Sequence, residues 1–197
     1  MIIGLTGSMA SGKSTVSEFL KKRGLHIIDA DKAAHKILFE DETKKSLAEC
    51  FGNDIIGSDG EIDRKNLAEK AFSSEEATEK LNSITHPAII SLIREDIKEN
   101  EKKYPAVVID APLLIEAGLH KICDAVWLVC ANIETRYARI MKRDNLTRAQ
   151  ARARVAKQIP QWKKKRFADA LIDNDGTVAA LESRIDTLLA QYGLTGK

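Results

Sequence analysis

The chain has 197 residues; 44% are hydrophobic, 30% are charged, and 31 basic against 29 acidic side chains leave a net charge of +2. This composition is typical of a globular protein and lacks the large basic excess of dedicated nucleic-acid or membrane-surface proteins, so we expect neither partner. No apolar run is long enough to span a bilayer and no signal-peptide pattern is present, which favours a cytoplasmic protein.

A glycine-rich turn follows the first predicted strand. Residues 2–5 have the apolar character of a short buried strand, and residues 16–20 have the apolar spacing of a helix. Between them, GSMASGKS at 7–14 matches G-x-x-x-x-G-K-[ST] at every position, which is the P-loop pattern. A chance match of a Gly/Ser-rich turn is the alternative, but the flanking strand and helix favour a phosphate-binding loop.

The residue types of this turn suit a polyphosphate. Gly7 and Gly12 free the backbone to curl around an anion, and the following helix points its positive N-terminus at the same place. Lys13 is expected to reach the outer phosphates, and the Ser14 hydroxyl to ligate Mg²⁺. The predicted nucleotide-binding residues of the turn are Gly7, Ser8, Met9, Ala10, Ser11, Gly12, Lys13, Ser14 and Thr15.

Four further apolar runs predict strands. They are residues 25–29, 106–110, 125–130 and 170–173. Near-continuous apolar runs are typical of parallel strands that are covered on both faces. The sequence therefore predicts an α/β fold of three layers with a parallel five-stranded sheet.

The connection over residues 31–105 is longer than a strand-to-strand crossover requires. Its periodicity is helical, with predicted helix starts at Asp63, at Ser73 or Ser74, and at His86-Pro87. We interpret it as a helical insertion. The predicted core then consists of residues 1–30, 106–140 and 169–197.

A second long connection, residues 141–168, is rich in lysine and arginine. One interpretation is a solvated pair of amphipathic helices whose charges face water. The other is a lid that folds over a triphosphate and brings arginines to the transferring group, as phosphoryl transfer requires. The P-loop favours the lid.

Acidic residues follow two of the predicted strands. Asp29 and Asp31 come where the second strand ends, at the edge where open α/β sheets bind ligands. A carboxylate there can accept the proton of an attacking hydroxyl or help to position Mg²⁺, or it can cap the next helix. Asp29 is the better candidate for capping. Asp110 ends the third strand and is a candidate support for Mg²⁺.

The three cysteines, Cys50, Cys123 and Cys130, are widely spaced. No C-x-x-C pattern and no Cys/His ligand spacing is present. We therefore expect buried free thiols in a reducing compartment.

Several quoted stretches occur together in one family of kinases. They are IGLTGSMASGKST, IIDADKAAH, FGNDIIGSDGEIDRKNLAEKAF, LNSITHPAI, APLLIEAGL, RDNLTRAQARARVAKQ and DALIDNDG. The P-loop is shared by many kinases, whereas DAD, the HP pair and PLL at these spacings are more specific. Over most of its length the sequence resembles the dephospho-coenzyme A kinases.

The resemblance implies transfer of the ATP γ-phosphoryl group, with Mg²⁺, to the ribose 3′-hydroxyl of dephospho-CoA, the last step of CoA synthesis. It also implies a P-loop kinase fold whose 31–105 insertion binds the acceptor and whose 141–168 segment is a lid. Asp31 then resembles the general base, Lys13 steadies the β- and γ-phosphates, and Arg139 stabilises the transferring group. Arg143 is a neighbouring candidate.

The same resemblance implies further substrate contacts. Those near the acceptor are Arg64, His86, Leu113 and Leu114, and Asn174 in the 174–176 turn lies beside the adenine of ATP. From the residues alone, His86-Pro87 could be a helix start, the two leucines could be core residues, and Asn174 could belong to an ordinary turn.

Two other functions compete with this one. Another P-loop nucleotide or nucleoside kinase would use the P-loop, DAD and a lid equally well. A regulatory nucleotide switch is disfavoured, because Cys130-Ala131-Asn132-Ile133 stands where an N-K-x-D-like motif would follow the fourth strand. The expected partners are the small molecules ATP and dephospho-CoA, and we expect a monomer.

Overall fold

The computed structural model describes residues 1–194, and strands alternate with helices along the chain. The strands are β1 (Ile2–Gly7), β2 (His26–Asp29), β3 (Val107–Asp110), β4 (Ala125–Cys130) and β5 (Ala170–Asp173). The helices are α1 (Lys13–Lys22), α2 (Ala30–Lys36), α3 (Asp41–Phe51), α4 (Arg64–Ala71), α5 (Glu75–Asn100), α6 (Ile133–Asp144), α7 (Arg148–Ala156), α8 (Gln161–Lys164) and α9 (Val178–Gln191). All five predicted strands are confirmed, with ends that differ by at most two residues.

The strands form one parallel sheet in the order β2-β3-β1-β4-β5. β1 lies in the middle, with Leu5 opposite Asp110 of β3 and Trp127 of β4. In this arrangement the turn after β1 and the residue that ends β3 reach the same edge of the sheet. The α/β prediction with a five-stranded parallel sheet is therefore confirmed.

The core explains why the strands read as continuous apolar runs. Every residue of β4 is buried, and Trp127 at its centre packs edge-on against Tyr192, with ring centroids 5.2 Å apart. Burying a side chain of this size contributes roughly 2–3 kcal/mol. Gly4 of β1 has no room for a side chain, because a Cβ there would lie 2.6 Å from Leu114 Cδ2. The loop after β3 therefore packs directly on β1.

The chain divides into two compact units. The sheet unit consists of Met1–Ile28 with the chain from Ile97 onward, and the helical unit consists of Asp29–Asp96. The helical unit has its own apolar core around Leu47 and Ile55, both fully buried. The predicted bounds 31–105 and 141–168, which came from sequence, stay predictions.

The prediction of a helix start at His86-Pro87 is wrong. Helix α5 runs from Glu75 to Asn100 with Pro87 inside it. A proline lacks the N–H that would bond the carbonyl four residues earlier, at a cost of about 3 kcal/mol in a helix interior. Later apolar positions of the same helix, such as Ile93 and Ile97, are buried, so packing offsets that cost.

The other predicted helix starts fare better. The Asp63 side chain accepts hydrogen bonds from the backbone N–H groups of Lys65 and Asn66, so it caps α4. Ser74, one of the two alternatives for α5, accepts from the N–H of Ala77 at 3.1 Å. Both residues are types that favour this position.

All three cysteines are free, as expected. Cys130 is buried and Cys123 is half-buried, and burial raises the pKa of the Cys123 thiol to about 12. Cys50 is exposed near the end of α3, so the expectation of burial is wrong there. Its helix turns that position outward because Leu47 faces the core instead. Within residues 1–194, no helix has the length and apolar character to cross a membrane.

Candidate active site

The P-loop joins β1 to α1, and its backbone conformation at Gly12 favours glycine. Gly12 has φ of 92°, in the left-handed region, and a Cβ there would lie only 1.9 Å from Asn174 Nδ2. Ala10 also has a positive φ, of 60°. Helix α1 starts at Lys13, so its first N–H groups have no partner within the helix. The loop and the helix end together form an anion-binding cradle.

Side chains from distant parts of the sheet unit hold the carbonyl groups of this loop. Arg136 Nε donates to Met9 O at 2.9 Å, and Arg139 donates to Ala10 O at 3.2 Å and to Ser11 O at 3.3 Å. The Asn174 amide donates to Ser11 O at 2.8 Å. Because donors occupy the carbonyl groups, the loop is fixed by contacts that leave the N–H groups of the helix start available.

Lys13 forms an ion pair with Asp110, the last residue of β3. Both side chains are largely buried, with 19% and 13% of their surface exposed. The pairing follows from the sheet, since Asp110 lies opposite Leu5 and ends its strand at the P-loop edge. An ammonium has three N–H donors, so a bond to one carboxylate oxygen leaves Lys13 able to bind phosphate oxygens as well.

A cavity of about 840 Å³ opens over the P-loop. Four cationic side chains line it and, within the described chain, no carboxylate does. Its lining consists of residues 7–15 of the P-loop together with Pro112, Arg139, Lys142, Arg143, Gln158, Asn174, Gly176, Val178 and Leu181. Such a cavity combines a cationic floor with an apolar side at Val178 and Leu181, which suits a nucleotide polyphosphate and its base.

Two buried hydroxyl groups support this assignment. Ser8 Oγ and Ser11 Oγ have no hydrogen-bond partner within the described residues. A buried hydroxyl without a partner costs free energy unless a ligand or water satisfies it. The loop therefore contains two buried hydroxyl groups whose hydrogen-bonding capacity the described residues leave unused.

The donor set for a divalent cation is small. Within residues 1–194, no cluster of three His, Cys, Asp or Glu side chains could hold a metal. Ser14 is exposed at the first turn of α1. A single hydroxyl oxygen such as that of Ser14 fits Mg²⁺, because this ion keeps several waters and takes much of its coordination from substrate phosphates.

The two predicted arginines of α6 have different surroundings. Arg139 is half-buried, and besides its two P-loop contacts it donates to Asn174 O at 2.7 Å. Arg143 is exposed and donates to Asp144, and this hydrogen bond raises the pKa of Arg143 above its ordinary value. Arg139 is thus fixed at the P-loop, whereas Arg143 lies at the outer wall of the cavity.

Asn174 lies at the cavity over the P-loop. It is buried, it bonds the P-loop through Ser11, and its turn contributes Gly176 to the cavity. An ordinary surface turn would not account for this burial.

The leucines predicted near the acceptor differ in exposure. Leu113 is 55% exposed in the loop after β3. Leu114 is fully buried against Gly4, so it presents no surface to a ligand and the core alternative describes it.

The remaining predicted site residues lie in the helical unit. Asp29 accepts a hydrogen bond from Lys32 N at 3.0 Å and caps α2, which confirms its capping role. Asp31 is exposed in the first turn of α2, and Arg64 is exposed at the start of α4. His86 is half-buried in α5, and burial lowers its pKa.

Sequence reasoning missed three residues of the sheet unit. Arg136 lies three positions before Arg139, a spacing that places both on one helix face and could have drawn attention to it. No sequence pattern marks Gln158, although its Oε1 accepts a hydrogen bond from Met9 N at 2.7 Å. Lys164 belongs to a run of four basic residues, yet it alone of that run is fully buried, and it bonds Glu116 and Pro112 O.

Comparisons with known proteins identify the family. A family model described as dephospho-CoA kinase matches residues 1–180. The chain belongs to the dephospho-CoA kinase family. A dephospho-CoA kinase from Carboxydothermus hydrogenoformans is 40% identical, with 97% of this chain and 94% of the relative covered. One from Geobacter sulfurreducens is 42% identical, with 96% and 98% covered.

A solved structure of the family agrees with the fold. The dephospho-CoA kinase from Campylobacter jejuni superposes with a TM-score of 0.73 at 32% identity, covering 97% of this chain and 96% of that one. The resemblance drawn from the sequence is therefore confirmed over nearly the whole chain.

Proposed function

We propose that this chain phosphorylates dephospho-CoA with ATP, giving CoA and ADP, and that the acceptor atom is the ribose 3′-hydroxyl oxygen. The observation that carries the proposal is the cationic P-loop cavity in a chain that matches the dephospho-CoA kinases from residue 1 to residue 180. The family supplies the acceptor, and the cavity supplies a place for the phosphoryl donor.

Phosphoryl transfer needs positioning and charge stabilisation more than covalent chemistry. ATP supplies the phosphoryl group, and Mg²⁺, for which we propose Ser14 as protein ligand, would neutralise phosphate charge when bound. Lys13 holds the outer phosphates while Asp110 fixes its ammonium. This pairing favours a positioning role for Asp110 over a direct hold on the ion.

Arg139 is the cation proposed to stabilise the transferring group. Its guanidinium lies close to Gly12, and the bonds to three backbone carbonyls hold it there. A guanidinium fixed in this way costs no reorganisation when charge develops in the transition state. Arg143 is proposed to contact the nucleotide from the outer wall of the cavity.

The acceptor contacts are proposed for both units. Asp31 is the proposed general base, and Arg64 and His86 are proposed to bind the acceptor within the helical unit. Leu113 offers an exposed apolar surface in the sheet unit, and buried Leu114 fixes the loop that carries it. Asp29 is left as the helix cap.

Cytoplasmic location and a monomeric state are also proposals. Free cysteines, one of them exposed, favour a reducing compartment.

The decisive experiment is a panel of acceptors assayed with ATP and Mg²⁺. Dephospho-CoA should be phosphorylated much faster than AMP, dTMP or a nucleoside. Phosphorus NMR of the product should place the new phosphate on the 3′ position. If a nucleotide or nucleoside reacts faster, the chain is another P-loop kinase and the proposal fails.

A further inference from the structure

Gln158, which follows α7, bonds the P-loop across 149 positions of sequence. Its Oε1 accepts from the backbone N–H of Met9 at 2.7 Å. Only the oxygen of a carboxamide can accept from an N–H group, so this contact determines which way the amide lies. The Nε2 group, with two donors, is directed away from Met9 N.

The amide nitrogen of Gln158 is available to a ligand. Gln158 is half-buried and lines the cavity over the P-loop together with Arg139 and Lys142. Its hydrogen bond to the P-loop uses Oε1 alone, and Nε2 takes no part in that bond. A half-buried donor at the wall of a cationic cavity suits an anion.

Met9 is held firmly enough to orient this amide. Arg136 donates from Nε to Met9 O at 2.9 Å, while Gln158 accepts from Met9 N. Arg136 is only 4% exposed, and burial lowers its pKa. Both polar groups of the Met9 backbone therefore have side-chain partners.

The residues on either side of Met9 point to the same ligand chemistry. Ser8 Oγ and Ser11 Oγ are buried without partners in the described chain. Gln158 Nε2 adds a further neutral donor beside this turn of the P-loop. Oxygens of a polyphosphate would satisfy such donors without the desolvation cost of burying a further charge.

We propose that Gln158 donates a hydrogen bond from Nε2 to the polyphosphate of the bound nucleotide while its Oε1 stays on Met9 N–H. This inference rests on the nucleotide site of the proposed function and adds a residue to it. A carboxamide can do both tasks at once, because it accepts through one atom and donates through the other. The segment 141–168 thereby contacts the nucleotide directly.

The test compares three variants by calorimetric titration with a non-hydrolysable ATP analogue and Mg²⁺, in the absence of any acceptor. Gln158→Glu keeps an acceptor for Met9 N–H but replaces the donor with a negative oxygen. Gln158→Ala removes both. Gln161→Glu is the matched control, since Gln161 Oε1 also accepts a backbone N–H, that of Ala131 at 3.3 Å, but Gln161 does not line the cavity.

We expect Gln158→Glu to bind the analogue at least tenfold more weakly and Gln161→Glu to bind within twofold of the wild type. Wild-type affinity in Gln158→Glu overturns the proposal. Weak binding by Gln158→Ala alone would mean that Gln158 only holds Met9, and equal losses in both Glu variants would mean a general charge effect. Melting temperatures of all variants identify a folding defect.

Failure of the proposed function gives a different pattern. A wild-type chain that binds the analogue but leaves dephospho-CoA unphosphorylated contradicts the function and leaves the Gln158 contact intact. A wild-type chain that does not bind the analogue overturns the Gln158 proposal together with the nucleotide site.

Discussion

The proposed nucleotide residues of the sheet unit and the proposed acceptor residues of the helical unit differ in hydrogen bonding and in exposure. In the sheet unit, Lys13, Arg139 and Asn174 all have hydrogen-bond partners at or near the P-loop. In the helical unit, Asp31 and Arg64 are exposed and His86 is only half-buried. The difference indicates that described residues already hold the nucleotide side chains in place, whereas the proposed acceptor residues are more open to solvent. Fixed side chains are most useful around the phosphates, because charge develops there in the transition state.

The largest effect should come from Lys13→Ala, which removes a fixed cation from the P-loop of the sheet unit. We expect kcat to fall by about 10³-fold or more, because the loop's N–H groups remain but the charge over the transferring group is lost. Steady-state kinetics with ATP and dephospho-CoA measure this. Lys21→Ala, on the same helix but exposed, is the control. Near-normal activity in a folded Lys13 variant would make the loop purely structural.

Asp31→Asn tests the proposed acceptor residues of the helical unit. Loss of a base should lower kcat by about 10²- to 10⁴-fold while nucleotide affinity changes less. Asp29→Asn should be mild, since asparagine caps a helix about as well as aspartate. Both variants should keep their melting temperatures. If Asp29→Asn abolishes turnover and Asp31→Asn does not, the two roles are reversed.

Lys164→Met tests whether the sheet unit depends on a buried charge outside the cavity. Lys164 is fully buried and bonds Glu116 at 2.9 Å and Pro112 O at 2.8 Å. Removing it leaves a partly buried carboxylate without its cation, so we expect a loss of about 2 kcal/mol in the free energy of unfolding. Urea denaturation measures it, with exposed Lys163→Met as the control expected to change stability by less than about 0.5 kcal/mol. Equal effects would contradict the structural role.

The smallest effect concerns pH and His86. Burial lowers the folded-state pKa of His86 below its ordinary 6.5, so the unfolded chain binds the proton more readily. Stability from this group is therefore present above pH 6.5 and falls as pH drops from 6.5 through the folded pKa. His86→Gln should reduce the change in melting temperature between about pH 5 and 7 by about one degree. His35→Gln, an exposed histidine of the same unit, should leave the slope unchanged.

The sequence predicted the parts that depend on local pattern. The five strands were visible as apolar runs, the P-loop as a motif, and the Asp63 cap as a residue type before a helix. Pro87 was misread because helix propensity is local, whereas the helix continues through tertiary packing of residues such as Ile93.

The candidate site was predicted less completely, for a reason of distance along the chain. Gln158 and Met9 are 149 positions apart, and Arg136 and Met9 are 127 apart. No periodicity or spacing connects such pairs in a single sequence. Lys164 is a similar case, because a run of basic residues gives no sign of which one is buried.

The close approach of Gly12 and Asn174 limits how these two positions can diverge. A methyl group at 12 would occupy the space of the Asn174 amide, and the left-handed backbone at Gly12 adds a second obstacle. A smaller residue at 174 would make room, but it would remove the bond to Ser11 O that holds the loop. Neither substitution alone is neutral, and the second does not restore what the first removes. We therefore expect substitutions at either position to be disfavoured in evolution, and glycine at 12 to occur together with asparagine at 174.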